Sequence, residues 1–334
     1  MAALSRRQLV QIMAGAAVFG AAPALAASGI DESGFVKIGD IDQWIAIQGQ
    51  DRANPVILYL HGGPGEAQSP FVDQFKPWTR DFTVVNWDQR GAGKTYGRNG
   101  AATPDMTLDR FVEDVIEIAQ HLRTRLSQRK IILVAQSWGS ILGVHAIKRR
   151  PDLFHAYVGT GQVVSITVAF TDLADYARKK ATETGDAVTL AELARADALS
   201  PPLRRLGAMR HASKKWMLAE ADKPYVRMID DFKATATRYA ADWVEGGRFS
   251  GSSVGMTMAA EDLRALGTDM PVPVFVCQGR DDHITGFEPA QAWLDDARAP
   301  RKAFVALDGG HYACFTNPDA FVGALNKYVR PLAT

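Results

Sequence analysis

A chain of 334 residues, 47% of them apolar and with a formal net charge of +1, can bury a large core and lacks the basic excess of a nucleic-acid-binding protein. Two cysteines form no disulfide framework, and no C-x-x-C or H-E-x-x-H spacing marks a metal site. What remains is a globular protein of one large domain, or one with an insertion, needing no cofactor.

Ser5-Arg6-Arg7-Gln8-Leu9-Val10 precedes an Ala/Gly-rich apolar run from Ile12 to Ala22, and Pro23-Ala24-Leu25-Ala26 offers the small residues of a cleavage site. The pattern is that of a bacterial export signal of the twin-arginine type. The run is shorter than the ~20 residues that span a bilayer. Residues 1–26 are thus expected to be removed, leaving a periplasmic protein that starts at Ala27 and is not inserted in the membrane.

Alternating residues over 35–38 and 43–48 predict an antiparallel hairpin. Continuous apolar runs at 55–60 and 82–87 predict central strands covered on both faces. The first leads into His61-Gly62-Gly63-Pro64-Gly65, the second into Asp88-Gln89-Arg90-Gly91-Ala92-Gly93. Residues 108–126 read as a helix carrying Phe111, Val115, Ile118 and Leu122 on one face, started by Thr107 or Asp109.

Residues 130–135 are then a strand, and 139–148 a helix with Ile141, Val144 and Ile147 in register. Ser137 stands at the apex of this strand–turn–helix, flanked by the small residues Ala135 and Gly139, as a nucleophile elbow requires. A serine there also suits a plain helix N-cap. Gly251-Ser252-Ser253-Val254-Gly255 matches G-x-S-x-G literally, but its surroundings read as loop, so it is set aside.

From 162 to 266 helical patterns follow one another (167–184, 190–198, 203–219, 225–244) without a clear strand. They predict a helical cap inserted into a core made of residues 27–161 and 267–334. Strands resume at 272–277 and 302–307, with helices near 289–298 and 318–329. Alternating strands and helices argue for an α/β fold with a mostly parallel sheet and its site at the strands' carboxyl ends.

Beyond the two late strands lie Gly279-Arg280-Asp281-Asp282-His283 and Asp308-Gly309-Gly310-His311. Serine, then acid, then histidine is the chain order of α/β-hydrolases. A serine hydroxyl needs a base to take its proton, and an imidazole needs a carboxylate to fix its tautomer and stabilise its developing charge. One oxyanion donor would be the Trp138 N–H. Because Pro64 has no N–H, the other would come from Gly62, Gly63 or Gly65. His61 is expected to support that loop, and Asp88, Arg90 and Gly91 to brace it. Cys277 and Cys314 are expected to be small buried residues, and His121, His145, His155, His211 and His283 to have no ligand role.

The His-Gly-Gly-Pro-Gly, Asp-Gln-Arg-Gly-Ala-Gly, Gln136-Ser137-Trp138-Gly139, Gly279-Arg280-Asp281-Asp282 and Gly310-His311 segments together resemble the proline iminopeptidase family of α/β-hydrolases. The resemblance spans most of the chain outside the cap. It implies Ser137 as nucleophile, Asp282 as acid (Asp281 being the fallback), His311 as base and Gly63 as second oxyanion donor. It also implies release of an N-terminal residue from a short peptide, whose ammonium group acids of the cap would bind. Glu183, Glu192, Glu220, Glu245 and Glu261 are available, and Glu220 and Glu245 are taken as the candidates. The W-x-x-W-E arrangement of proline-specific members is absent, Trp243-Val244-Glu245 being a fragment of it. An esterase or amidase on small substrates, and a non-catalytic binding protein, stay open.

Overall fold

The structure is a computed structural model that describes residues 29–200 and 202–333; the expected export signal and its cleavage point lie outside them. Eight strands form one sheet in the order β1-β2-β4-β3-β5-β6-β7-β8. They are β1 (Ile30–Ile38), β2 (Ile41–Gly49), β3 (Val56–Leu60), β4 (Thr83–Asp88), β5 (Ile131–Gln136), β6 (Phe154–Thr160), β7 (Val274–Gly279) and β8 (Lys302–Leu307). β1 and β2 pair antiparallel, as do β2 and β4; every later pairing is parallel. This is the α/β-hydrolase fold.

Burial follows from position in the sheet. β3 and β5 are buried at every residue, as strands covered by helices on both faces must be. The edge strand β1 alternates between exposed and partly covered residues. Helix α1 (Leu108–Arg125) starts where the Thr107 hydroxyl accepts from the Arg110 N–H at 3.2 Å, and it buries Phe111, Val115, Ile118 and Leu122. Helix α2 (Trp138–Arg149) follows β5 directly.

Between β6 and β7 come α3 (Ile166–Thr184), α4 (Ala187–Asp197), α5 (Pro202–Ala212), α6 (Lys223–Ala234) and α7 (Arg238–Ala260). This segment is fastened to the loops at the carboxyl edge of the sheet. The Trp243 indole N–H donates to Ala67 O at 2.8 Å, Ser250 Oγ donates to Gly91 O at 2.8 Å, and Tyr225 OH donates to Gln68 Oε1 at 2.9 Å. Tyr225 also stacks on Phe315, 5.1 Å between centroids.

Two expectations for this segment need correction. The helix expected over 225–244 is two helices, broken where Ala236 takes φ 53° and Thr237 caps α7 by accepting from Ala240 N–H. The literal G-x-S-x-G at 251–255 lies inside α7, not in a loop. Ser252 and Ser253 spend their hydroxyls on the Phe249 carbonyl one helical turn back. After β7 the chain forms α8 (Phe287–Asp296), and after β8 it ends in helical turns over Pro318–Val329. Among the described residues, no helix is long and apolar enough to cross a membrane.

Candidate active site

Each chemically equipped loop leaves the carboxyl end of a strand. After β5, Ser137 sits at φ 53°, ψ −123°, a region costly for a side-chain-bearing residue and held only where the surroundings impose it. Here its N–H donates to Thr160 O and Gly161 O, at 3.2 and 3.1 Å. Its side chain and His311 line one cavity of about 800 Å³. The His311 ring lies against Gly161, whose position leaves no room for a Cβ beside the imidazole.

His311 Nδ1–H donates to Asp282 Oδ2 at 3.0 Å. The carboxylate also accepts from the Ile284 and Thr285 N–H groups, from the Thr285 hydroxyl and from Gln278 Nε2. Burial pushes the Asp282 carboxyl up, but His311 and Thr285 override it and hold it below its ordinary value. Burial likewise pushes the imidazole down; Asp282 overrides it and His311 titrates above its ordinary value. Asp281 is exposed, while Asp282 is buried. His311 Nε2 is left without a partner among the described residues, as is the Ser137 hydroxyl. In unliganded enzymes a hydrogen bond between nucleophile and base is often long or misaligned.

The Trp138 N–H opens α2, so it has no partner within the helix and carries the positive end of the helix dipole. Opposite it, the loop after β3 comes so close to the elbow that a Cβ on Gly62 would lie 2.9 Å from Ser137 Cβ and collide with Gln136 Oε1; only glycine fits. Gly63, Pro64 and Gly65 follow along the cavity wall. His61 is buried with Nδ1–H donating to Gly62 O at 2.9 Å and Nε2 accepting from Gln89 N–H at 3.2 Å. Burial lowers its pKa to about 4, so it is a neutral strut for the loop.

Nothing in the sequence marks Gln89 out from the rest of its Asp-Gln-Arg-Gly-Ala-Gly segment. Its side-chain N–H donates to His61 O at 3.0 Å, and its Oε1 accepts from the Trp138 indole N–H at 3.0 Å. The same motif supplies Arg90, which forms a fully buried ion pair with Asp114 at 2.9 Å and donates to the Pro104 and Gly39 carbonyls. Asp88 accepts from the Ser69 hydroxyl and the Lys94 N–H, and burial pushes its pKa up to about 6.

A sequence profile described as "Serine aminopeptidase, S33" matches residues 52–319. The chain belongs to the serine aminopeptidase family. A relative described as a probable aminopeptidase, YbaC of Bacillus subtilis (strain 168), is 28% identical over 313 residues, covering 88% of this chain and 95% of the relative. A probable proline iminopeptidase of Streptomyces coelicolor is 30% identical over 133 residues, 39% of this chain and 40% of that protein. Among solved structures, a proline iminopeptidase-related protein from Thermus thermophilus superposes with a TM-score of 0.62 at 21% identity, covering 91% of this chain and 99% of that one. The proline iminopeptidase of Mycobacterium smegmatis gives 0.61 at 19% identity, covering 90% and 99%.

As a member of the serine aminopeptidase family the chain is a hydrolase, and the charges facing its cavity bear on what it accepts. Glu220 and Glu245 do not line that cavity. The Glu220 side chain is 87% exposed and paired with Lys223; that of Glu245 is 55% exposed and paired with Arg248 at 2.8 Å. Both are held in exposed i,i+3 pairs, so their placement does not support the expected role in binding the substrate ammonium group. The carboxylate that does line the cavity is Glu66, directly after the Gly-Gly-Pro-Gly loop. A second acid, Asp222, is buried behind His311 and accepts from Tyr312 N–H at 3.4 Å. Burial pushes its pKa up. Cys277 and Cys314 are buried free thiols, and among the described residues no group of His, Cys, Asp and Glu could hold a metal.

Proposed function

We propose that the protein is an aminopeptidase that removes the N-terminal residue of short peptides through an ester on Ser137. In this reading His311 takes the serine proton and returns it to the leaving amine, while Asp282 holds the imidazolium. The Trp138 and Gly63 N–H groups receive the developing oxyanion, each worth about 3 kcal/mol of barrier. The single observation that carries the reading is the His311–Asp282 contact at 3.0 Å in the cavity that Ser137 lines. Glu66, facing that cavity from the same loop as Gly63, is assigned the substrate ammonium group. The relatives described as aminopeptidases support this choice of substrate.

An esterase or amidase on small acyl substrates draws on a different observation: among the described residues, the inserted helices offer no acid to the cavity. Turnover of an amino-acyl anilide, its N-blocked counterpart and a short-chain aryl ester separates the two. Preference for the free amine is expected; equal or faster turnover of the blocked compound contradicts the aminopeptidase reading. We also propose that residues 1–26 direct export. N-terminal sequencing of the periplasmic protein should begin at Ala27, and a chain still beginning at Met1 contradicts that.

A further inference from the structure

The cavity has two chemically different walls. Glu66, Ser137 and His311 come from loops at the sheet edge, whereas the inserted helices contribute Arg210 (α5), Lys233 (α6) and Arg248 (α7). Among the described residues that line the cavity, three cations thus stand on the helical wall and one carboxylate on the other. Lys233 and Arg248 each pair with an acid one turn back on their own helix, Asp230 at 3.1 Å and Glu245 at 2.8 Å. Such exposed pairs hold a side chain weakly. Arg210 has no acidic partner among the described residues. Its guanidinium lies 5.7 Å from the centroid of Phe170, another cavity residue. Arg210, Gly207 and Met217 also border a second depression that adds Lys214, so the positive wall continues beyond the cavity mouth.

A positive wall raises the local concentration of anions and favours a substrate that brings a negative charge against it. We propose that the cavity selects substrates with a free carboxylate remote from the scissile bond, held by Arg210 in the field of Lys233 and Arg248. The deduction rests on the aminopeptidase reading for one part only: in a peptide, that carboxylate is the C-terminus. With Glu66 at one wall and the three cations at the other, the occupant is a zwitterionic short peptide whose two termini are both free. The volume agrees, since about 800 Å³ suits a molecule of a few residues.

The test uses two matched pairs on the full chain. One is a tripeptide as free acid and as C-terminal amide; the other is an aryl half-ester of a dicarboxylic acid and the same compound with its free carboxyl methylated. kcat/KM should favour the free carboxylate in both pairs by roughly tenfold. The preference should shrink as ionic strength rises from about 0.05 to about 0.5 M. In Arg210→Gln the free-acid-to-neutral ratio should fall several-fold, and the salt response of the wild-type protein stands even where a variant folds poorly. Equal kcat/KM within both pairs, or a preference indifferent to salt, overturns the proposal. Preference in the ester pair without peptide turnover overturns the aminopeptidase reading and leaves the anion-selecting wall in place. Peptide turnover blind to amidation does the reverse.

Discussion

Gln89 Oε1 accepts from the Trp138 indole at 3.0 Å while the same side chain donates to His61 O at 3.0 Å. One fully buried amide thereby ties together the two chain segments that supply the candidate oxyanion donors. Neither segment is bound to the other in sequence: one follows β3, the other follows β5.

Gln89→Leu removes both bonds at similar volume. We expect kcat on an aryl ester to fall about 10- to 100-fold with KM little changed, because misplaced donors weaken the transition state more than the ground state. Steady-state kinetics, with a melting curve to confirm folding, checks this. A rise in KM at constant kcat would assign Gln89 to substrate binding instead.

His311 must be neutral to accept a proton, and Asp282 holds its pKa above the ordinary value against the effect of burial. The acidic limb of kcat/KM should therefore lie above about 6.5. In Asp282→Asn the opposing burial effect remains and the largest raising charge is gone, leaving only the smaller effects of Asp222 and Glu66. The limb should move to lower pH while the rate drops by about 10⁴-fold. A pH profile of the residual activity decides; an unmoved limb contradicts the pairing.

Glu66→Gln tests the assignment of the ammonium group. The ratio of kcat/KM for a free-amine anilide to that for its N-blocked counterpart should fall by about tenfold. An unchanged ratio places amine recognition elsewhere.

Asp88 offers a test of the fold beneath the site. Its folded pKa, about 6, stands above the ordinary 3.8 because it is buried. The folded state therefore holds the proton more tightly. The stability this contributes is present below about 3.8 and lost as pH rises through about 6. Relative to wild type, Asp88→Asn should be favoured at pH 7 and should lose about 2 kcal/mol of that advantage by pH 4. The hydrogen bonds altered by the substitution add a constant offset, so only the change with pH matters. Urea unfolding of both proteins at the two pH values measures it.

The strands and their order of chemistry were legible because each has a local signature. β3 and β5 are short apolar runs, the first leading into His61-Gly62-Gly63, and the elbow needs only Ala135, Ser137 and Gly139. The second half of the inserted segment was not legible. Gly246, Gly247, Gly251 and Gly255 lower helix propensity, so residues 245–255 resembled loop. Gly246 lets α7 press on the sheet-edge loops, since a Cβ there would lie 2.9 Å from Tyr96 Cβ and 3.0 Å from Gly91 O, whereas Gly251 and Gly255 face open space. Tertiary contact overrode propensity. The same limit hid the cavity's charges. Glu66, Arg210, Lys233 and Arg248 are brought together from one loop and three helices by the way the inserted helices dock, and no spacing in the chain records that.

The central claim is that Ser137 is the activated nucleophile, and covalent labelling tests it most directly. A fluorophosphonate should modify the wild-type protein once, with peptide mass spectrometry placing the adduct on Ser137 and Ser137→Ala abolishing both adduct and turnover. An adduct on another serine, such as Ser253, or undiminished turnover in Ser137→Ala, would contradict the account.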